Sequence, residues 1–169
     1  MATRTKPSRS KAAPRQRSAA VKKRSTPSAG AGREASVEDG LDALEDPQTA
    51  RDSRALMQLM RRISGGARPK VWNVGTIGFD AYHFKYDSGR EGDGHALGFY
   101  PRDAKLTVYL MDGTARHAAN LARLGEHTTS RVCVYLKRLD DVRLPVLEEI
   151  LEASYAYLKA QDGRMHRVD

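Results

Sequence analysis

Three short segments with period-two hydrophobic alternation lie close together in the middle of the chain. They cover residues 77–86, 96–100 and 105–111. The polar, glycine-rich residues 87–94 between the first two are predicted to be an exposed loop. Parallel strands need a crossover of a dozen or more residues, which these connections are too short to provide. The segments are therefore expected to form an antiparallel meander.

Helical patterns flank the meander on both sides. Asp46 is placed to cap a helix that begins at Pro47 and ends before Gly65. The other predicted elements are a short helix through Val37, Leu41 and Leu44, a short helix stopped by Gly125, a strand at 132–137 and a last helix that begins at Leu144. The order ααβββαβα predicts an α+β fold, a four-stranded antiparallel sheet with helices packed on one face.

The basic charge of the chain is concentrated at its N-terminus. Residues 1–33 contain ten Lys and Arg and no acid, whereas the whole chain has 29 basic and 21 acidic residues. The remainder is therefore slightly acidic, at −2. Large apolar side chains are almost absent from the first segment, so we predict a disordered basic tail at 1–35, a domain at 36–161 and a C-terminal tail at 162–169.

Two roles remain open for the basic tail. Lys and Arg can neutralise phosphates without a fold, so the tail is a candidate arm for non-specific nucleic-acid binding. The residues proposed for that contact are Arg15, Arg17, Lys22, Lys23 and Arg24. The alternative is a solubilising extension with no partner. A transit peptide is disfavoured because three prolines and the missing apolar stripe oppose an amphipathic helix.

Composition excludes several classes of protein and site. No apolar run is long enough to cross a bilayer, so no membrane partner is expected. The single cysteine, Cys133, allows no internal disulfide and fits a cytoplasmic location. The five histidines include no i, i+4 pair, and one cysteine cannot complete a thiolate site. No cofactor is predicted from these residues, and no phosphate-binding glycine loop is present.

A set of short motifs in the body has the order and spacing of a known family. These are Pro69-Lys70-Val71-Trp72, Gly78-Phe79, Tyr82-His83-Phe84-Lys85-Tyr86, Gly89-Arg90-Glu91-Gly92, Leu97-Gly98-Phe99-Tyr100-Pro101-Arg102, Leu106-Thr107-Val108-Tyr109-Leu110-Met111, Leu124-Gly125 and Cys133-Val134-Tyr135-Leu136-Lys137-Arg138-Leu139. Residues 51–159 thereby resemble the YdhG-like family, also called domain of unknown function 1801. The resemblance implies a compact α+β domain, distantly similar to frataxin-type intracellular iron chaperones. The chain departs from the family at Trp72-Asn73, where Trp-Gly is expected.

The iron-chaperone comparison directs attention to exposed carboxylates, which hard cations prefer. Five acids lie close together before and within the first helices: Glu38, Asp39, Asp42, Glu45 and Asp46. They form a candidate Fe²⁺ site. The alternative is a solvated helix face whose acids are favourable near a helix N-terminus.

Aromatic and cationic residues on the predicted strands form a second candidate site, for a small anionic molecule. The aromatics would form its walls and the cations its anchors. The proposed ligand-binding residues are Trp72, Tyr82, His83, Tyr100, Arg102 and Lys137. Alternation places His83 and Lys85 on one face of their strand, with Tyr82 and Phe84 on the other. The alternative is that the tyrosines fill the rim of the core.

These observations predict a non-enzymatic cytoplasmic binding domain, chaperone-like for iron or a small anionic ligand, with a basic arm. One alternative is a nucleoid-associated protein that binds nucleic acid non-specifically through residues 1–33. The other is an enzyme of unknown reaction that uses the Tyr/His/Arg/Lys face, although no base–nucleophile pair is visible in the sequence. An RNA-binding sheet is disfavoured because the body is slightly acidic.

Overall fold

A six-stranded antiparallel sheet forms the centre of the computed structural model, which describes residues 37–86, 89–102 and 104–162. Its strands are β1 (Lys70–Val71), β2 (Ile77–Lys85), β3 (Glu91–Arg102), β4 (Lys105–Tyr109), β5 (Thr128–Thr129) and β6 (Cys133–Leu136). They are arranged in the order β1-β2-β3-β4-β6-β5. The helices are α1 (Val37–Asp42), α2 (Pro47–Ile63), α3 (Ala118–Leu124) and α4 (Leu144–Ala160). The predicted α+β class is confirmed.

The start of α2 shows how local chemistry sets a helix boundary. Asp46 has extended backbone, and its carboxylate accepts a hydrogen bond from the Thr49 amide at 2.9 Å. This bond satisfies one of the amides that a helix N-terminus leaves unpaired. Pro47 at the first helical position has no amide hydrogen to satisfy. The predicted cap is therefore present, and α2 begins where the sequence indicated.

The sheet is larger than predicted, because it has six strands in place of four. Two of them, β1 and β5, have two residues each, too few for a hydrophobic period to be visible. The glycine-rich residues 91–94 are not loop, as predicted, but the first part of β3. Gly92 pairs with Phe84 and Gly94 with Tyr82.

Those glycines are in the strand because aromatic rings lie across them. A Cβ atom at Gly92 would stand 3.1 Å from the Phe84 ring, and one at Gly94 would stand 3.1 Å from the Tyr82 ring. Glycine thus serves the packing of the neighbouring strand here, and its local preference for loops is overridden by that packing.

The helices bury their apolar side chains against one face of the sheet. Leu56 and Met60 of α2 and Leu147 and Ile150 of α4 share a single core cluster with strand residues such as Phe99. All five side chains have no exposed surface. Burying a side chain of this size contributes about 1.5–3 kcal/mol, so this helix-covered face supplies most of the hydrophobic stabilisation.

The alternation of side chains between the two faces of the sheet is interrupted within β2. This interruption decides which β2 side chains lie on the face opposite the helices. Phe79 and Tyr82 are both buried, whereas Ala81 between them is exposed, so strict alternation is interrupted at Asp80. Asp80 has a φ of +50°, in the left-handed region that Asp tolerates better than most residues. Its carboxylate accepts hydrogen bonds from the Ala81 amide and the Tyr155 hydroxyl, each at 2.9 Å.

Several predictions concern residues outside the described ranges. The basic tail at 1–35, its five proposed nucleic-acid contacts Arg15, Arg17, Lys22, Lys23 and Arg24, and all but the first residue of the 162–169 tail lie there. Among the helices of the described part, none is long and apolar enough to cross a membrane.

Candidate functional site

The face of the sheet opposite the helices presents a layer of aromatic rings. We call Trp72, His95 and Tyr109 the aromatic layer. The Trp72 and His95 rings meet edge to face, with centroids 5.7 Å apart and planes at 78°. The His95 and Tyr109 rings are 5.5 Å apart at 57°. All three side chains are partly exposed, and none belongs to the main core cluster.

Two glycines form the floor beneath the aromatic layer. Gly78 of β2 and Gly98 of β3 are direct partners in the sheet. A Cβ atom at Gly78 would lie 2.5 Å from the Trp72 indole, and one at Gly98 would lie 2.6 Å from Nδ1 of His95. Only glycine lets these rings rest directly on the backbone, so the two positions shape this face.

The His95 ring of the aromatic layer is uncharged at neutral pH. Burial lowers the pKa of His95 to about 4, because the imidazolium would lose its hydration there. Nδ1 of His95 and Nε1 of Trp72 are buried against the glycine floor and have no hydrogen-bond partner in the part of the chain that the structure describes. The layer therefore presents tilted aromatic rings, with a neutral imidazole among them, to a ligand.

A tight turn holds Trp72 over the sheet. A 3₁₀ turn at Asn73–Gly75 follows Trp72, whose amide donates to the Thr76 carbonyl at 2.7 Å. Gly75 has a φ of +86°, and a Cβ there would come within 3.2 Å of the Tyr100 ring. Tyr100 thus packs beside this turn. Asn73, the departure from the expected Trp-Gly, is accommodated at the start of the turn.

A row of cations borders the aromatic residues on the same face. Arg102 of β3 is paired with Lys105 of β4, two residues beyond the Tyr100–Thr107 pair. The pairing of Leu106 with Leu136 places Lys137 next to Lys105. We call Arg102, Lys105 and Lys137 the basic row. All three are exposed, and Lys105 and Lys137 have no ion pair or hydrogen bond within the described residues.

The opposite end of this face, which we call the neutralised end, has acids beside its basic side chains. His83 Nδ1 lies 2.9 Å from an Asp93 oxygen, and Lys85 Nζ lies 3.7 Å from Glu91. The open face therefore has a charge gradient, with acids and bases balanced at one end and the basic row at the other.

The structure brings together four of the six predicted ligand-binding residues. Trp72, Tyr100, Arg102 and Lys137 lie on the open face, near the glycine floor or in the basic row. His83 lies on the same face but at its neutralised end. Tyr82 lies on the opposite, helix-covered face with Ala96 and Leu158, and burial raises the pKa of its hydroxyl. The prediction that Tyr82 contacts the same ligand is therefore corrected, because its ring is buried on the other face of the sheet.

The five predicted iron ligands have different surroundings in the structure. Asp42 forms an ion pair with Arg54, Asp46 caps α2, and Glu38, Asp39 and Glu45 lie on the exposed surface or partly so. Among the described residues, no group of three or more His, Cys, Asp or Glu side chains could hold a metal ion. Hydrogen bonds from Thr49 lower the pKa of the Asp46 carboxyl, which fits a helix cap.

His95 and Lys105 belong to this face but were not selected from the sequence. His95 lies between the predicted loop 87–94 and the predicted strand 96–100, so no face was predicted for it, and Lys105 is the first residue of the predicted strand 105–111. The available signal was the continuation of period two from Glu91 onward, which the glycines concealed. Strand register, which brings Lys105 between Arg102 and Lys137, has no local sequence signature.

Comparison of the chain with protein-family models, with curated proteins and with solved structures gives no match in any of the three.

Proposed function

We propose that this protein is a non-enzymatic binding domain whose open sheet face holds a small molecule with a planar ring and an anionic group. The observation that supports the proposal is the position of the basic row beside a neutral aromatic layer on one sheet face. The domain architecture is of the kind that the YdhG-like resemblance implies, which is compatible with such a role but does not identify the ligand.

The basic row favours an anionic group because three basic side chains lie on neighbouring strands, and the charges of Lys105 and Lys137 repel one another. Arg102 and Lys105 are directly opposed across β3 and β4, and Lys137 follows on β6. Like charges directly opposite in a sheet are destabilising. An anion bound between them would relieve this repulsion and form charge-assisted hydrogen bonds.

The spacing of the face sets the size of the ligand. Successive side chains on one face of a strand are about 7 Å apart. The Tyr100–Thr107 pair lies one such step from the basic row, and the Gly98–Tyr109 pair lies two steps away. A ring bound over Tyr100 or Tyr109 would thus be about 7–14 Å from its anionic group.

The charge gradient argues for a small ligand over an extended polyanion. A nucleic-acid strand needs cations along its whole path. Here Glu91 and Asp93 offset the basic side chains at the far end of the face, so that end offers no net positive charge to phosphates. Nucleic-acid binding by the basic tail is a separate hypothesis. It predicts affinity that falls steeply with salt and is lost on deletion of residues 1–33.

The emission of Trp72, the only tryptophan, provides a direct test. The full chain is titrated with AMP, with adenosine as the ring without charge and with phosphate as the charge without ring. AMP is expected to change the emission at the lowest concentration. Replacing Lys105 and Lys137 together by Gln should weaken AMP binding by about tenfold, since two charged contacts are lost.

Lys85→Gln is the matched control, because Lys85 is an exposed lysine on the same face but at the neutralised end. It should leave the AMP affinity unchanged. Equal affinities for AMP and adenosine, or an AMP affinity insensitive to the double substitution, would contradict the proposal. Circular dichroism and thermal unfolding of each variant establish that the fold is retained.

A further inference from the structure

A buried polar cluster lies on the helix side of the sheet, away from the open face. Asp112 follows β4, and its side chain has no exposed surface. One carboxylate oxygen accepts a hydrogen bond from Ser154 Oγ of α4 at 2.6 Å. The other accepts from Nε2 of His117 at 2.7 Å. The His117 side chain is only 4% exposed.

The Asp112 contact fixes the tautomer of the neutral His117 ring. A carboxylate that accepts from Nε2 requires the hydrogen to be on that nitrogen, so in the neutral ring Nδ1 has the free lone pair. Nδ1 has no hydrogen-bond partner among the described residues. His117 also lines a recess of about 370 Å³ between α3 and α4. His117 therefore has an oriented acceptor atom, and the residue forms part of the wall of this recess.

A cation stands at the same recess in a fixed position. The Arg116 guanidinium lies over the Tyr157 ring, 3.8 Å from its centroid. Its Nε is 3.7 Å from Asp112, while the side chain remains 41% exposed. Arg116 lines the recess and also a second one bounded by Asp112 and Gly113. Stacking and the buried carboxylate hold the guanidinium in place, with donors left for an anion.

A third polar group completes the set. The carboxamide of Asn120, one turn further along α3, lines the recess and forms no hydrogen bond with another described residue. The remaining lining residues, Ala119 and Ala153, are small and leave the space open. A volume of about 370 Å³ lies within the range of small-molecule sites, although near its lower end.

We propose that this recess is a second binding site, for a small carboxylate that carries a hydroxyl or amino group on the adjacent carbon. Arg116 pairs with the carboxylate, since a guanidinium matches its two oxygens. The hydroxyl or amine donates to Nδ1 of His117, and Asn120 satisfies a remaining oxygen. Asp112 does not touch the ligand; it positions His117. This site is independent of the ligand proposed for the open face.

Calorimetric titration of the full chain with lactate, acetate and 2-propanol tests the proposal. Lactate is expected to bind more tightly than acetate, and 2-propanol should not bind. Arg116→Gln should weaken lactate by about tenfold or more, the value of a charge-assisted hydrogen bond. Arg123→Gln is the matched control, because Arg123 lies on α3 in an exposed ion pair with Glu149.

His117→Gln is expected to reduce the preference for lactate over acetate, since Nδ1 is the acceptor of the hydroxyl. If this substitution of a buried residue unfolds the chain, the ratio of lactate to acetate affinity in the wild type still tests whether the site recognises the hydroxyl. Nitrogen NMR of the neutral His117 imidazole in the wild type should show the Nε2-protonated tautomer. Absence of saturable lactate binding, equal lactate and acetate affinities, or an affinity unchanged by Arg116→Gln would overturn the proposal.

Discussion

Acidification should destabilise this protein through His95, and the effect can be isolated with one substitution. Burial lowers the pKa of His95 to about 4 in the folded chain, whereas an unfolded histidine has a pKa of about 6.5. Between these values the unfolded state binds a proton that the native state does not. Stability is therefore highest above pH 6.5 and is lost as the pH falls toward 4.

The magnitude follows from the two pKa values. A difference of about 2.5 pH units corresponds to about 3 kcal/mol, since each unit is worth 1.36 kcal/mol at 25 °C. For a domain of this size that is a large fraction of a total stability of about 5–15 kcal/mol. His95 alone accounts for a difference of at most one bound proton between the unfolded and native states, so it changes the free energy of unfolding by at most about 1.36 kcal/mol per pH unit.

Urea unfolding of the wild type and of His95→Gln from pH 7 to pH 4 measures the difference. Carboxylates also titrate in this range, but they are common to both proteins and cancel in the comparison. The wild type should lose about 3 kcal/mol more than the variant. His83→Gln is the control, because His83 is 43% exposed and lies outside the aromatic layer. Parallel pH curves for the wild type and His95→Gln would refute the reasoning.

Three further predictions concern packing, backbone strain and a buried hydrogen bond, each tested by urea unfolding. Gly98→Ala should cost about 1–3 kcal/mol because its Cβ would meet an imidazole atom at 2.6 Å, whereas Gly40→Ala, with open space around it in α1, should stabilise by about 0.5–1 kcal/mol. Asp80→Ala should cost about 1–3 kcal/mol, and Asp80→Asn less, because Asn tolerates the left-handed backbone; equal costs would exclude strain as the cause. Asp52→Ala should cost about 1–3 kcal/mol, since the buried Leu139 amide loses its acceptor at 3.0 Å, and a neutral result would show that the amide finds another partner.

Part of the candidate site was visible in the sequence and part was not. Trp72, Tyr100, Arg102 and Lys137 were identified because aromatic and cationic side chains on short strands are typical of a binding face. Tyr82 was grouped with these residues because the sequence pattern does not show that alternation is interrupted at Asp80. His95 was missed because the glycines of β3 have the composition of a loop.

The Asp112–His117 pair shows the same limit for a buried cluster. Asp112 with Gly113 has the sequence of a surface turn, and His117 is a lone histidine five residues later. Ser154 joins them from α4, more than forty residues away. Only the packing of α4 against the end of β4 turns these three residues into a connected group.

The sequence by itself determined the class of each long element and their order. Hydrophobic period, the Asp46 cap and proline positions act within a few residues of one another, so they can be read locally. Tertiary structure alone decided the two short edge strands, the face that each side chain occupies and the neighbours across the sheet. Those features depend on strand register and on contacts between distant segments. The position of Trp72 over Gly78 and that of Lys105 beside Lys137 are set only when the sheet is assembled.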